Sequence, residues 1–164
     1  MKMKSKNGIS LMALIATVAV VLILITTITV SFEFVYTQTK EKDFANEIYS
    51  IQKLVDIYHF KNNKYPVVSE DEDIVVDLSK MNNNDKTQFS KEEVEMENSM
   101  IILKRIDLYE ADVNECKNGH GTVDDKNIYC VSENTGIVYY LKGKNFGDNV
   151  YYTLTEELKT RLGI

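Results

Sequence analysis

The chain of 164 residues contains one proline, Pro66, with only seven glycines, two cysteines and two histidines. This shortage of Pro and Gly, with no low-complexity run, excludes a disordered linker domain. Neither residue occurs between Ile9 and Tyr65, so nothing in that range forces a helix to break. The two histidines come without a G-x-S-x-G or H-E-x-x-H pattern and give no support to a hydrolase or a zinc protease. No Gly-rich loop follows a strand before a helix, which leaves nucleotide binding without support. The chain therefore reads as a non-enzyme, with no catalytic residue, no cofactor and no metal site. Bases are scarce as well, 19 Lys and Arg against 25 Asp and Glu. Lys2, Lys4 and Lys6 precede residue 9, so the remainder carries 16 bases against 25 acids. No basic face is left there for phosphates, which argues against nucleic acid as a partner of this part and disfavours anionic lipid headgroups.

What the chain does have is a long apolar run. Ile9 to Val30, ISLMALIATVAVVLILITTITV, contains no charge, Gly or Pro. As a helix it would be roughly 33 Å long, about the thickness of a bilayer's hydrocarbon core. The expectation is a transmembrane helix over residues 9–31. A secretory signal would be shorter and followed by a small-residue cleavage site, which Thr29 to Phe32 do not offer. The lysines before the run place the amino terminus in the cytoplasm and the rest outside, as a single-pass membrane protein. Beyond it, Phe44, Ile48, Ile51, Val55 and Tyr58 recur at spacings of 4, 3, 4 and 3, with Glu47, Lys53 and Asp56 between them. That periodicity predicts an amphipathic continuation of the helix over residues 32–64, stopped by Pro66. Residues 65–164 then form one extracytoplasmic globular part.

The junction Lys6-Asn7-Gly8-Ile9-Ser10-Leu11 resembles the processing site of type IV prepilins and of type II secretion pseudopilins. The stretch Leu54-Val55-Asp56-Ile57-Tyr58 through Tyr65-Pro66 is similar to the end of the long helix in pseudopilins. The resemblance implies a leader, residues 1–8, cut by a prepilin peptidase between Gly8 and Ile9, with Ile9 then N-methylated. It implies an α+β fold of the pilin kind, a long helix, membrane-spanning then amphipathic, packed against a small antiparallel sheet. Leu11 and Ala13 would lie in the helix that packs against other pilin-like subunits. Ala13 occupies the fifth mature position, where that family usually has Glu; tip pseudopilins and many Gram-positive pilin-like proteins lack the acid too. The function implied is a structural subunit of a type IV pilus, type II secretion or competence-type filament at the cell surface, minor or at the tip. The rival is a singly anchored sensor or adhesin head that does not polymerise.

In the globular part, Val67 to Thr87 reads as an irregular connection with the acidic run Glu70 to Asp73. Glu70, Asp71, Asp73 and Asp77 match no EF-hand spacing, and a solvated acidic loop is the simpler reading. Ser90-Lys91-Glu92-Glu93 fits a capping box, and Ile102, Ile106, Tyr109 and Val113 predict a helix near Ser99 to Ala111, with a buried strand at Met100 to Leu103 as the alternative. Asn127 to Val131, Gly136 to Leu141 and Val150 to Leu154 are β-branched and aromatic runs that predict an antiparallel meander. Thr155 to Leu162 predicts a capped helix. Cys116 and Cys130 frame a 13-residue loop rich in Gly, Asn and Asp. Outside the cytoplasm a disulfide closing that loop is the natural reading. Alternatives are zinc on Cys116, His120 and Cys130 without an evident fourth ligand, or two unpaired thiols in a strictly anaerobic cell.

Overall fold

The structure, a computed structural model, describes residues 11–69, 71–89 and 99–163, and the side chains of all of these except 26–34 and 161–162. The leader 1–8, the Gly8-Ile9 junction and the capping box at Ser90 lie outside the described residues. The first element, α1, runs Leu11–Asn62. It ends at Asn63, which takes a left-handed φ of 53° and donates its N–H to the His59 carbonyl at 2.8 Å, a helix-closing geometry that Asn tolerates. His59 and Lys61 place basic groups in the last turn, where they face the negative end of the helix dipole.

The chain divides into two compact units, one ending at Thr39 and the other beginning at Lys40, and α1 contributes to both. In the first unit the described side chains from Leu11 to Ile25 are apolar and exposed almost without exception. Among the described residues no helix is long and apolar enough to cross a membrane. The expectations of a transmembrane helix over 9–31, of a fold built on a membrane-spanning helix, and of a single-pass membrane protein are corrected accordingly.

The second unit is α+β. Strands β1 (Ile74–Asp77), β2 (Met100–Arg105), β3 (Tyr129–Val131) and β4 (Val138–Tyr140) form an antiparallel sheet in the order β1-β2-β3-β4. Alternation divides the side chains between its two faces. Tyr129, Val131, Val138 and Tyr140 join Phe44, Ile48, Ile51 and Val55 of α1 in one core cluster. Cys130 and Tyr139 turn the other way and join Ile74, Val76, Ile101 and Leu103. The four helix positions are those of the amphipathic stripe; Tyr58, at its end, is only half-buried and donates its hydroxyl to Glu110 at 2.6 Å.

Three elements depart from the periodicities. Met100–Arg105 is a strand, because β1 pairs on one side (Val75 opposite Ile102) and β3 on the other (Lys104 opposite Val131), and these ladders outweigh the helical spacing. The chain then turns at Asp107, whose carboxylate accepts the N–H groups of Tyr109 and Glu110, both at 3.0 Å, and Tyr109 is 95% exposed. The connection from Val67 to Thr87 contains β1, a 3₁₀ turn at Leu78–Lys80 and α2 at Asn83–Lys86, capped by Asp77 and Asn82 respectively. The third run of the meander belongs to a separate hairpin, β5 (Lys144–Phe146) with β6 (Asn149–Tyr151). Gly147, at a φ of 61°, makes that tight turn. The last helix, α3 (Glu156–Leu162), is capped by the Thr155 side chain accepting from the Leu158 N–H and closed by Gly163 at a φ of 68°.

Adjacent residues of β2 test this account. Leu103 is fully buried between β1 and β3, whereas Ile102 is 53% exposed on the opposite face. Leu103→Ala is expected to cost about 2–5 kcal/mol in urea unfolding, and Ile102→Ala less than about 1 kcal/mol. Equal losses would mean that the strand is turned over.

Candidate functional site

Two regions bear chemistry that the fold alone does not consume. The first is the start of α1. Leu11 is 73% exposed, Ala13 is also exposed, and Leu14, Ile15, Val18, Val20, Val21, Leu22, Ile23, Leu24 and Ile25 are each more than half exposed. At 100° per residue these side chains surround the helix on every side. A helix that is apolar all round requires an apolar surrounding. Thr17 does not interrupt this character, since its hydroxyl donates to the Leu14 carbonyl at 2.8 Å.

The second region is the loop between β2 and β3. Here one carboxylate of α1 organises a chain that offers it donors. Glu47 accepts the backbone N–H groups of Lys117 at 3.1 Å and Asn118 at 2.9 Å, the Asn118 amide at 3.2 Å on both oxygens, and the Tyr129 hydroxyl at 2.8 Å. One turn earlier, Asp43 receives the Lys117 ammonium at 2.7 Å, which raises the pKa of that lysine. Further along, Asn127 accepts from the Gly119 N–H and the Tyr140 hydroxyl. Asp125 accepts the N–H groups of Asn127 and Thr122, and these bonds lower its pKa. Burial raises the Tyr129 phenol well above its ordinary 10.0, and the Glu47 charge adds to the effect.

The cysteines therefore do not close this loop. Cys116 and Cys130 are free thiols, and the expected disulfide is corrected. The cause is topological: Cys130 points into the cluster on the sheet face away from α1, while Cys116 lies on the helix side, lining a pocket with Asp43 and Glu47. The same separation keeps Cys130 from joining Cys116 and His120 as a metal ligand. Among the described residues no group of three or more His, Cys, Asp or Glu is placed to hold a metal ion. Cys116 and His120 do meet, with Sγ 3.3 Å from Nε2. Burial, with Glu47 beside it, raises the Cys116 pKa, the wrong direction for a nucleophilic thiolate. Burial pushes the Cys130 thiol from 9.0 up to about 12.

The acidic connection is likewise committed to ion pairs and caps. Asp71 pairs with Arg105 at 3.3 Å, Asp73 with Lys104 at 3.7 Å and Asp77 with Lys80 at 3.0 Å, while Glu70 lies outside the described residues. Glu47 is the functional residue that periodicity missed. Its signal was an acid set between Phe44 and Ile48, at the margin of an apolar stripe that faces an Asn- and Asp-rich loop.

Two outcomes follow from this geometry. Glu47→Ala is expected to lose about 2 kcal/mol of stability and to abolish hydrogen-exchange protection at the Lys117 and Asn118 amides, while protection in β3 persists. Protection unchanged at both amides would show that the carboxylate does not hold the loop. Stability is also expected to fall as pH rises from about 9 toward 12. In that window the unfolded chain releases the Cys130 proton and the folded chain keeps it, and the raised Tyr129, Tyr140 and Tyr152 pKa values act in the same direction. Thermal melts at pH 7, 9 and 10.5 read this, with flat values counting against it. No family model, characterised protein or solved structure matches the chain.

Proposed function

We propose that the chain is a structural subunit of a filament of the pilin or pseudopilin kind, assembled by packing of its apolar amino-terminal helix against the same helix of other subunits. The observation that carries this reading is the run Leu11 to Ile25, apolar and exposed on every side, in a chain whose other unit has core clusters of its own. Each Leu, Ile or Val withdrawn from water contributes roughly 1.5–3 kcal/mol. Helices of further copies supply that cover, with side chains of like size that interdigitate. The Gly8-Ile9 junction supports the same reading from the sequence, as a prepilin peptidase site that leaves Ile9 as first residue. Ala13, in place of the family's usual Glu, favours a minor or tip subunit over the main one.

The unit from Lys40 to Ile164 opposes close packing by charge. Setting aside Lys2, Lys4, Lys6 and Glu33, it holds 16 bases against 24 acids. Like-charged lobes repel at low ionic strength and are screened by salt. Assembly is driven by apolar burial and restrained by this repulsion.

The full chain, released from detergent, is expected to form fibres or large oligomers by negative-stain microscopy and sedimentation. Raising salt from about 0.01 to 0.1 M shortens the Debye length from about 30 to 10 Å and is expected to lower the threshold concentration. Val18→Asp is expected to abolish assembly while leaving the circular dichroism of the folded lobe intact. Mass spectrometry of chain made in its own cells is expected to find a methylated Ile9 at the amino terminus. Single copies at every concentration, with an intact Met1, would instead favour the non-polymerising sensor or adhesin.

A further inference from the structure

The core leaves one corner of the sheet uncovered, and its location identifies what fits there. Lys104 stands opposite Val131, so Lys104 and the alternate residues Ile102 and Met100 share the sheet face on which α1 packs. Val75, opposite Ile102, lies on that face too. The chain's own helix covers β3 and β4 and stops short of these positions: Val75 is 58% exposed, and Met100 and Ile102 are exposed as well. The corner is bordered by acid. Lys104 bridges Asp73 at 3.7 Å and Glu133 at 3.2 Å, so one base is shared by two carboxylates, and Glu72 nearby is exposed.

The complementary surface is on the same chain. Opposite its core stripe, α1 presents Tyr49, Lys53, Ile57 and Phe60 at spacings of 4, 4 and 3, which is one helical face. Tyr49, Ile57 and Phe60 are exposed, Phe60 at 90%. Lys53 lies within this face and Lys61 beside it, and the nearby Asp56 accepts the Gln52 amide at 2.8 Å. A largely apolar stripe carrying lysine thus faces outward from the helix, and an apolar corner edged by carboxylates faces outward from the sheet.

We propose that these two surfaces meet between copies: the outward stripe of α1 in one subunit docks on the Val75, Met100 and Ile102 corner of the next, with Lys53 against Glu133 and Asp73. The inference rests on the filament reading and names a second contact within it. The two surfaces differ, so the contact is head-to-tail and generates an open array instead of a closed dimer. It extends a packing the sheet already uses, since the same face that takes the chain's own α1 takes a second helix alongside.

The test uses the assembled full chain, made as an equal mixture of ¹⁵N-labelled and unlabelled copies and treated with a carbodiimide. Links from Lys53 to Glu133 or Asp73 that join the two isotopic forms are expected. Lys53→Glu is expected to raise the threshold for assembly about fivefold or more, with the melting temperature unchanged. Adding Glu133→Lys to that variant is expected to restore most of the loss, which a merely structural role for either residue would not do. Assemblies that form without such links, with Lys53→Glu behaving as the unaltered chain, would overturn the inference and leave the filament reading in place. Failure of the unaltered chain to assemble would overturn both.

Discussion

The contact on which the rest depends is that between the stripe Phe44, Ile48, Ile51 and Val55 and the inward face of β3 and β4. Strands of three residues are marginal alone, and a helix with one apolar face is marginal alone; each supplies the surface the other must bury. Aromatic rings set the fit. Phe44 meets Tyr140 edge-on at 5.9 Å and Phe146 at the same distance, which ties the β5–β6 hairpin to the helix as well. Polar groups on neighbouring helix positions fix the register. The Gln52 amide donates to the Gly136 carbonyl and accepts from the Val138 N–H, both at 2.8 Å, so one side chain holds the β3–β4 turn against α1.

The other face of the sheet is covered by the connection between β1 and β2. Phe89 stacks on Tyr139 at 4.9 Å, and Leu78 is buried in the same cluster. Gln88 donates to the Val150 carbonyl and accepts the Tyr152 N–H, which joins this connection to β6. A short, loop-rich segment can cover a sheet because its few apolar residues are placed by amides that behave as pieces of a ladder. The Cys130 thiol is inert for the same reason: it is one more small apolar group in a closed layer.

The helical stripe was legible because Phe44, Ile48, Ile51 and Val55 bury along one line and acids fall between them. Strands β3 and β4 and helix α3 were legible from β-branched runs and from Thr155 at a cap, whereas β5 lies in the stretch Gly143 to Asn149 that reads as a turn between runs. Met100 to Arg105 misled because Ile102 and Ile106 also fit a helical spacing, and only partners distant in sequence, β1 and β3, decide between the two periods. The short β1 carries no signal apart from its partner. Pairing of Cys116 with Cys130 was suggested by their spacing. Spacing does not reveal that alternate residues of a strand face opposite layers, and Cys130 follows Tyr129 by one. The apolar run at the start of α1 was plain in the sequence, but the partner that covers it cannot be read from the run itself.

Carboxylates in place of sulfur give the lobe a particular mechanical character. From Asp43 to Tyr58 a single stretch of α1 carries the core stripe, the Glu47 clamp on the long loop, the Gln52 hold on the β3–β4 turn and the Tyr58 hydroxyl on Glu110. The loop before β3, the β3–β4 turn and the chain at Glu110 thus refer their positions to that stretch through side chains on successive turns. These bonds are charge-assisted or buried, and none of the described ones depends on thiol oxidation. If copies dock through the outward side of the same stretch as proposed, this arrangement has a direct consequence. A load applied at Tyr49, Lys53, Ile57 and Phe60 enters the helix that the sheet, the loop and the turn all grip, so the lobe is displaced as one body rather than peeled from its edge.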